Sequence, residues 1–175
     1  ISLKSFYQVN PIQVEKLYQK AIEFAKLSND DVVLDAYCGI GTIALSLAKH
    51  VKKVYGVEIV DTAIKDARNN AKLNKIENAE FKCDDAGKYM IELVNNNIHL
   101  DVVFVDPPRK GCSKEFLDYL IQAKPSQIIY ISCDVATQAR DIKYLQEFNY
   151  QVDMCQPVDM FPHTTHIENI VRLSY

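Results

Sequence analysis

The chain has 175 residues, the length of one domain, and can bury a full core without disulfide or metal staples. Apolar residues make up 48% and charged residues 25%, and no apolar run approaches the roughly 18 residues of a membrane span, so a disordered or membrane-spanning chain is excluded. The net charge of −3 shows none of the basic excess by which a nucleic-acid surface usually announces itself.

The opening residues, ISLKSFYQVN, show some alternation and then meet Pro11. Residues 11–27 read as a helix with Asn10 as N-cap, Pro11 at the first position, and Ile12, Leu17, Ile22 and Phe24 on the apolar stripe. Strands are expected at 30–36, 53–58, 79–83, 101–106 and 127–132, with helices at 42–50, 60–74, 86–96, 113–123 and 136–147 between and after them. Strands alternating with helices of this length make βαβ units and a parallel sheet covered on both faces. From residue 150 the pattern changes to two strands, YQVDMCQP and HIENIVRLSY, joined only by the loop VDMFPHTT, which predicts an antiparallel C-terminal hairpin. The expectation is a single doubly wound α/β domain over 1–175, with its site at the carboxyl ends of the strands.

Two turns at those ends carry chemistry. Asp35-Ala-Tyr-Cys-Gly-Ile-Gly-Thr42 follows the first buried strand and opens a helix. Gly39 and Gly41 let backbone approach a ligand closely, and the helix N-terminus adds a positive dipole end. Ala44 completes G-x-G-x-x-A, and Glu58 ends the next strand where a ribose-binding carboxylate belongs, so a dinucleotide site competes. The acidic Asp35 and the three residues before Gly39 favour S-adenosylmethionine over NAD, with Asp35 near the ammonium or sulfonium region. Asp106-Pro-Pro-Arg109 forms a stiff loop suited to holding a base. The plainer reading of a glycine pair after a strand is a tight turn.

Cysteines stand at 38, 83, 112, 133 and 155 without a CxxC pair, which argues against a disulfide framework or a zinc site and for a reducing cytoplasm. Cys83 and Cys155 lie within strands and are expected to be buried; Cys38 sits in the glycine turn, and Cys112 in a loop without an evident partner. Cys133 lies where a strand gives way to a helix, a place that lowers a thiol pKa and suits a nucleophile; core filler is the plain alternative. Glu168, ahead of an apolar strand, is expected to be desolvated toward a useful base range, or else simply exposed. His163 and His166 lack the third ligand that would specify a metal.

Six motifs in order resemble the catalytic domain of RNA uracil-5-methyltransferases: Ser5-Phe-Tyr-Gln-Val-Asn10, Asp35-Ala-Tyr-Cys-Gly-Ile-Gly41, Gly56-Val-Glu58, Asp106-Pro-Pro-Arg-Lys-Gly111, Ser132-Cys-Asp-Val-Ala-Thr-Gln-Ala-Arg-Asp141 and Met160-Phe-Pro-His-Thr-Thr-His-Ile-Glu168. The Tyr in the glycine turn brings the chain nearest to the bacterial 23S rRNA type. The resemblance implies a Rossmann-like fold, S-adenosylmethionine as cofactor and an RNA substrate, rRNA ahead of tRNA. It implies Cys133 as nucleophile toward uracil C6 and Glu168 as the base that removes the C5 proton. It assigns cofactor contacts to Gln8, Tyr37, Gly39, Gly41, Thr42, Glu58, Asp85 and Asp106, with Asp106 facing the uracil as a second possibility. Phe6 would steer an extruded base; Arg109, Lys110 and Arg140 are candidates for phosphate contact. No part of the chain matches the family's OB-like RNA-binding domain, so an excised catalytic domain is expected, monomeric and cytoplasmic. The alternatives are an amino-group methyltransferase acting through the Asp-Pro-Pro loop, an NAD-linked oxidoreductase, and a non-catalytic binding module.

Overall fold

The structure, a computed structural model, describes residues 10–160 and 162–175. Seven strands form one sheet in the order β3-β2-β1-β4-β5-β7-β6. They span Val32–Ala36 (β1), Lys53–Glu58 (β2), Ala79–Cys83 (β3), Val102–Val105 (β4), Gln127–Ser132 (β5), Gln151–Val158 (β6) and Glu168–Ser174 (β7). The first five run parallel, and β7 enters between β5 and β6, antiparallel to both. The strand order reverses between β1 and β4, the switch point where open α/β sheets place their ligands.

Helices cover both faces: α1 (Pro11–Ala25), α2 (Thr42–Leu47) and α3 (Asp61–Leu73) pack on one, and α4 (Ala86–Asn95), α5 (Lys114–Ala123) and α6 (Val135–Gln146) on the other. Being buried from two sides explains the unbroken apolar runs of β4, all four residues of which are buried, and of β5. Both ends of α1 are marked as expected at its start and by a left-handed Lys26 at its finish: the Asn10 side chain accepts from Gln13 N, and Lys26 N–H returns to Glu23 O. Its buried stripe is Leu17, Ala21, Phe24 and Ala25, whereas the anticipated Ile12 is 69% exposed. Burying Leu17 and Phe24 contributes about 2–3 kcal/mol each, and truncating either to Ala would open a cavity.

The terminal strands correct two expectations. β3 and β6 are the sheet's edges, so Cys83 and Cys155 are exposed rather than buried. Period-two alternation says which residues share a face; it does not say that a strand lies at an edge, where one flank has no neighbour. Cys112, far from being a free loop thiol, is buried, with its Sγ 3.6 Å from the Tyr130 hydroxyl; burial pushes it up to about 12.

Candidate active site

The antiparallel register does most of the assembly. β5 and β7 pair from Gln127↔Ser174 to Ser132↔Asn169. The ladder ends there, directly before Cys133 and directly after Glu168, so both residues lie at that end of the two strands. Both residues follow the parity of Ile131 and Ile170, which pack on the α1 side of the sheet. Residues thirty-five positions apart in sequence thus come to the same place at the carboxyl end of β5, close enough for Glu168 to act on the Cys133 thiol.

Local hydrogen bonds shape the turn at Cys133. Ser132 Oγ accepts from Asp134 N at 3.1 Å and donates to Asp134 O at 3.0 Å, which bends the chain directly around the thiol. Asp134 then caps α6, its Oδ1 accepting from Ala136 N and Thr137 N at 3.1 and 2.9 Å. This cap changes the electrostatics expected for Cys133. The leading N–H groups of α6 serve the Asp134 carboxylate, and its charge offsets the helix dipole. The half-buried Cys133 thiol is accordingly raised, first by desolvation and then by Glu168, while Arg109 draws it down by a hydrogen bond and by its charge. The expected lowering by the helix end is therefore corrected: the lowering influence comes from the Arg109 guanidinium.

Glu168 is 4% exposed. Desolvation raises its pKa and Arg109 counters. Asp106, at the end of β4, is pushed up to about 7 by burial and secondarily by Glu168. Arg109, exposed on the loop after β4, acts electrostatically on the Cys133 thiol and on the Asp134 and Glu168 carboxylates. Arg140, another phosphate candidate, is tied down by part of its guanidinium: Nε and Nη2 reach Asp141 at 2.9 and 2.7 Å, and Nη2 also reaches Lys110 O at 3.0 Å and Cys112 O at 3.3 Å, while its side chain stays 57% exposed. Buried Asp141 additionally accepts from Tyr130 Oη at 2.7 Å and Cys112 N at 2.8 Å. Thr137 Oγ1 donates to Arg109 O at 3.0 Å. The first turns of α6 thereby hold the loop on which Arg109 rides, and Gly111 (φ +74°) passes so close that a Cβ would lie 2.6 Å from Asp141 Oδ2.

The glycine turn forms the other half. Gly39 (φ +53°) faces open space: a Cβ there would meet no atom within 4 Å. Gly41 (φ +83°) is instead needed for packing, since its Cβ would stand 3.0 Å from the Phe81 ring. Glu58 reaches across from β2, Oε2 accepting from Gly39 N at 3.3 Å and Oε1 from Val60 N at 3.0 Å. Asp35 is fully buried and fastens Ala44 N with Oδ2 at 2.8 Å, while Oδ1 has no partner among the described residues. Burial raises it to about 8. It therefore ties β1 to α2, instead of presenting a free carboxylate. Tyr37 (φ +66°) lies half-buried against Phe116, ring centroids 5.3 Å apart. Thr42 is exposed at the start of α2, and exposed Asp85 caps α4 through Lys88 N. Phe6 and Gln8 lie outside the described residues.

One residue escaped the sequence reading. Tyr18, half-buried on α1, has its pKa raised by desolvation and then by Asp106, Asp35 and Glu168. Its phenol thus feels acids from both halves of the site. It lies one position beyond Leu17 at the edge of the buried stripe, a placement visible only once α1 is docked.

The groups at this end of the sheet are of the kind that hold a cationic, ribose-bearing cofactor. Gly39 leaves open surface beside the Glu58 carboxylate, and the acids Asp35, Asp106 and Glu168 crowd the site beyond it, needing positive charge to ionise together.

An rRNA methylase from Streptococcus thermophilus shares this fold, with a TM-score of 0.70 over 93% of this chain and 95% of its own, at 15% identity. The family model described as tRNA (uracil-5-)-methyltransferase matches residues 2–175, and the chain belongs to that family. A protein named as an uncharacterized RNA methyltransferase in Enterococcus faecalis is 53% identical over 174 residues, 99% of this chain and 38% of that protein; one from Bacillus cereus is 52% identical over the same shares. A Pyrococcus abyssi tRNA (uracil-54, C5)-methyltransferase, solved with S-adenosyl-L-homocysteine, shares 35% identity and a TM-score of 0.80 over 97% of this chain and 40% of its own. The chain thus spans well under half the length of these relatives.

Proposed function

We propose that this domain methylates C5 of a uridine in RNA through a covalent adduct to Cys133. The observation that carries the proposal is the end of the β5–β7 ladder at Ser132↔Asn169, which brings the flanking Cys133 and Glu168 to the same end of the sheet, where Arg109 acts on both. Uracil C5 is a weak nucleophile. The Cys133 thiolate adds to C6, forming an S–C6 bond, and the C5=C6 electrons move onto C5 and the C4 carbonyl. S-adenosylmethionine, when bound, supplies the electrophilic methyl group that C5 takes. Glu168 then removes the C5 proton, the electron pair restores C5=C6, and the S–C6 bond breaks to free the thiolate. Burial suits Glu168 to this step, because a raised pKa makes a carboxylate a stronger base at neutral pH. Arg109 stabilises the thiolate at the start and again on its release.

Glu58 would hold the ribose hydroxyls, with Gly39, Gly41 and Tyr37 lining the cofactor beside it; Thr42, Asp85 and Gln8 complete the proposed contacts. Asp106 would meet either the cofactor or the uracil, and Phe6 would steer the base. The motif resemblance carries 23S rRNA as the target. The second reading, tRNA, is favoured by the named activity of the Pyrococcus abyssi protein. An amino-group methyltransferase is disfavoured by Arg109, which stands after Pro108 where a stacking aromatic is needed and whose charge lowers the thiol pKa instead.

The test incubates the full-length protein with methyl-labelled S-adenosylmethionine and separated rRNA and tRNA fractions, then digests them to nucleosides. Labelled 5-methyluridine, absent with C133A, is expected from the rRNA. Label in an N-methylated adenosine, or undiminished with C133A, would overturn the proposal.

A further inference from the structure

Behind the Cys133–Glu168 pair, on the opposite face of the sheet, lies a polar contact that the chemistry above does not use. Gln138, on α6, is 1% exposed, and Asn169, next to Glu168 on β7, is 8% exposed. Asn169 Nδ2 donates to Gln138 Oε1 at 2.7 Å. Gln138 Nε2 donates to Tyr130 O on β5 at 2.9 Å and to Asn169 O on β7 at 3.2 Å. The remaining acceptor, Asn169 Oδ1, lies 3.4 Å from the Cys155 thiol on β6. One pair of carboxamides thereby bonds the three C-terminal strands to the helix that follows the nucleophile, with every amide group partnered.

The location gives this arrangement its meaning. The β5–β7 ladder ends at Ser132↔Asn169, just short of Cys133 and Glu168. Gln138 holds a carbonyl three residues before the thiol and another one residue after the base. An apolar pair of the same size would fill the space at least as well for stability, since a buried, fully satisfied polar network brings little net stabilisation. What it adds is directional definition of the arrangement.

We propose that Gln138 and Asn169 are positioning residues which fix the base-bearing end of β7 against the thiol-bearing end of β5. This inference rests on the proposed roles of Cys133 and Glu168. Adduct formation precedes proton removal, so a shifted Glu168 slows the exit from the adduct more than its formation. The paired variant Q138L/N169L removes both carboxamides together and keeps the packing, which guards against the unfolding that a lone Q138A would risk by leaving Asn169 Nδ2 unpaired.

The experiment uses the full-length protein and measures steady-state turnover on RNA, KM for S-adenosylmethionine, and the fraction of protein trapped covalently on RNA after denaturation. Folded Q138L/N169L is expected to lose about 10–100-fold in kcat, as an ångström-scale misplacement of reacting groups does. KM for S-adenosylmethionine should stay unchanged while the trapped fraction rises. Q138A, where it folds, should lose no less than the pair. Wild-type kcat in folded Q138L/N169L, or a fall in kcat accompanied by a fall in trapped adduct, would overturn the proposal. C133A, run in parallel, separates the two claims: full activity there removes the reading underneath, whereas an inactive C133A beside a fully active Q138L/N169L removes only the positioning role.

Discussion

The two halves of the sheet's carboxyl edge are built by different means. On the β1–β2 side, each carboxylate holds backbone within about twenty residues of itself: Asp35 holds Ala44 N, and Glu58 holds Gly39 N and Val60 N. The turn is made by local sequence, and its parts fall into place once β1 and α2 form. On the β5–β7 side, the Cys133 thiol, the Glu168 carboxyl and the Arg109 guanidinium come from segments far apart, brought together by an antiparallel strand inserted into a parallel sheet. The first half is organised to be occupied, with open surface at Gly39. The second is organised to hold competing acids around one guanidinium, so that each protonation state depends on the others. A cofactor site tolerates being prefabricated; a site that must gain and lose a proton needs groups whose charges are not fully satisfied.

The comparison is broken most severely at the thiol. C133A should abolish 5-methyluridine formation, a loss of at least about 10³-fold, read by nucleoside analysis. E168Q should allow attack but not proton removal. Turnover then falls about 10²–10⁴-fold, while covalent protein–RNA adduct accumulates on a denaturing gel; inactivity without adduct would place Glu168 before the addition step.

R109A removes the influence that lowers Cys133. The thiol pKa should rise, so the alkaline limb of iodoacetamide alkylation shifts to higher pH and adduct formation at neutral pH slows by about tenfold. An unmoved alkylation profile would separate Arg109 from the thiol.

Much of the first half was legible in the sequence, because local rules govern it. The Asp-to-Gly turn, Glu58 at a strand end and the capped start of α1 depend on neighbours within a few residues or on one βαβ unit. The hairpin was legible too, but not its insertion of β7 between β5 and β6, and it is this insertion that brings Glu168 to Cys133. Cys83 and Cys155 were misjudged because alternation does not identify an edge strand. The thiol environment was misjudged because Asp134, visible as the residue after Cys133, uses the helix N–H groups that were expected to serve the thiolate. Tyr18 and the Gln138–Asn169 pair depend wholly on helix docking, which no spacing along the chain encodes.

Two smaller effects sharpen the contrast between the halves. Asp141 accepts from Tyr130, Cys112 N and Arg140, so D141A would strand buried donors and lower stability by about 2–4 kcal/mol, seen in denaturant unfolding. Asp35 behaves differently, having an Oδ1 without a partner among the described residues and a pKa raised to about 8 by burial. Its folded pKa lies above the unfolded value, so the native state holds the extra proton between about pH 4 and pH 8. Stability through this group therefore falls as pH rises across that window. D35N keeps an acceptor for Ala44 N and should flatten the decline in melting temperature, with its largest relative gain above pH 8; an unchanged slope would show that Asp35 is ionised without penalty.

The most direct measurement of the central claim uses the full-length protein, S-adenosylmethionine and RNA carrying 5-fluorouridine. Fluorine at C5 cannot leave as a proton, so elimination from the adduct is blocked after methylation. Denaturing mass spectrometry should find protein, RNA and one methyl group joined, with the link mapped to Cys133. Normal S-adenosylmethionine binding without any adduct, or an adduct mapped to another residue, would contradict the account.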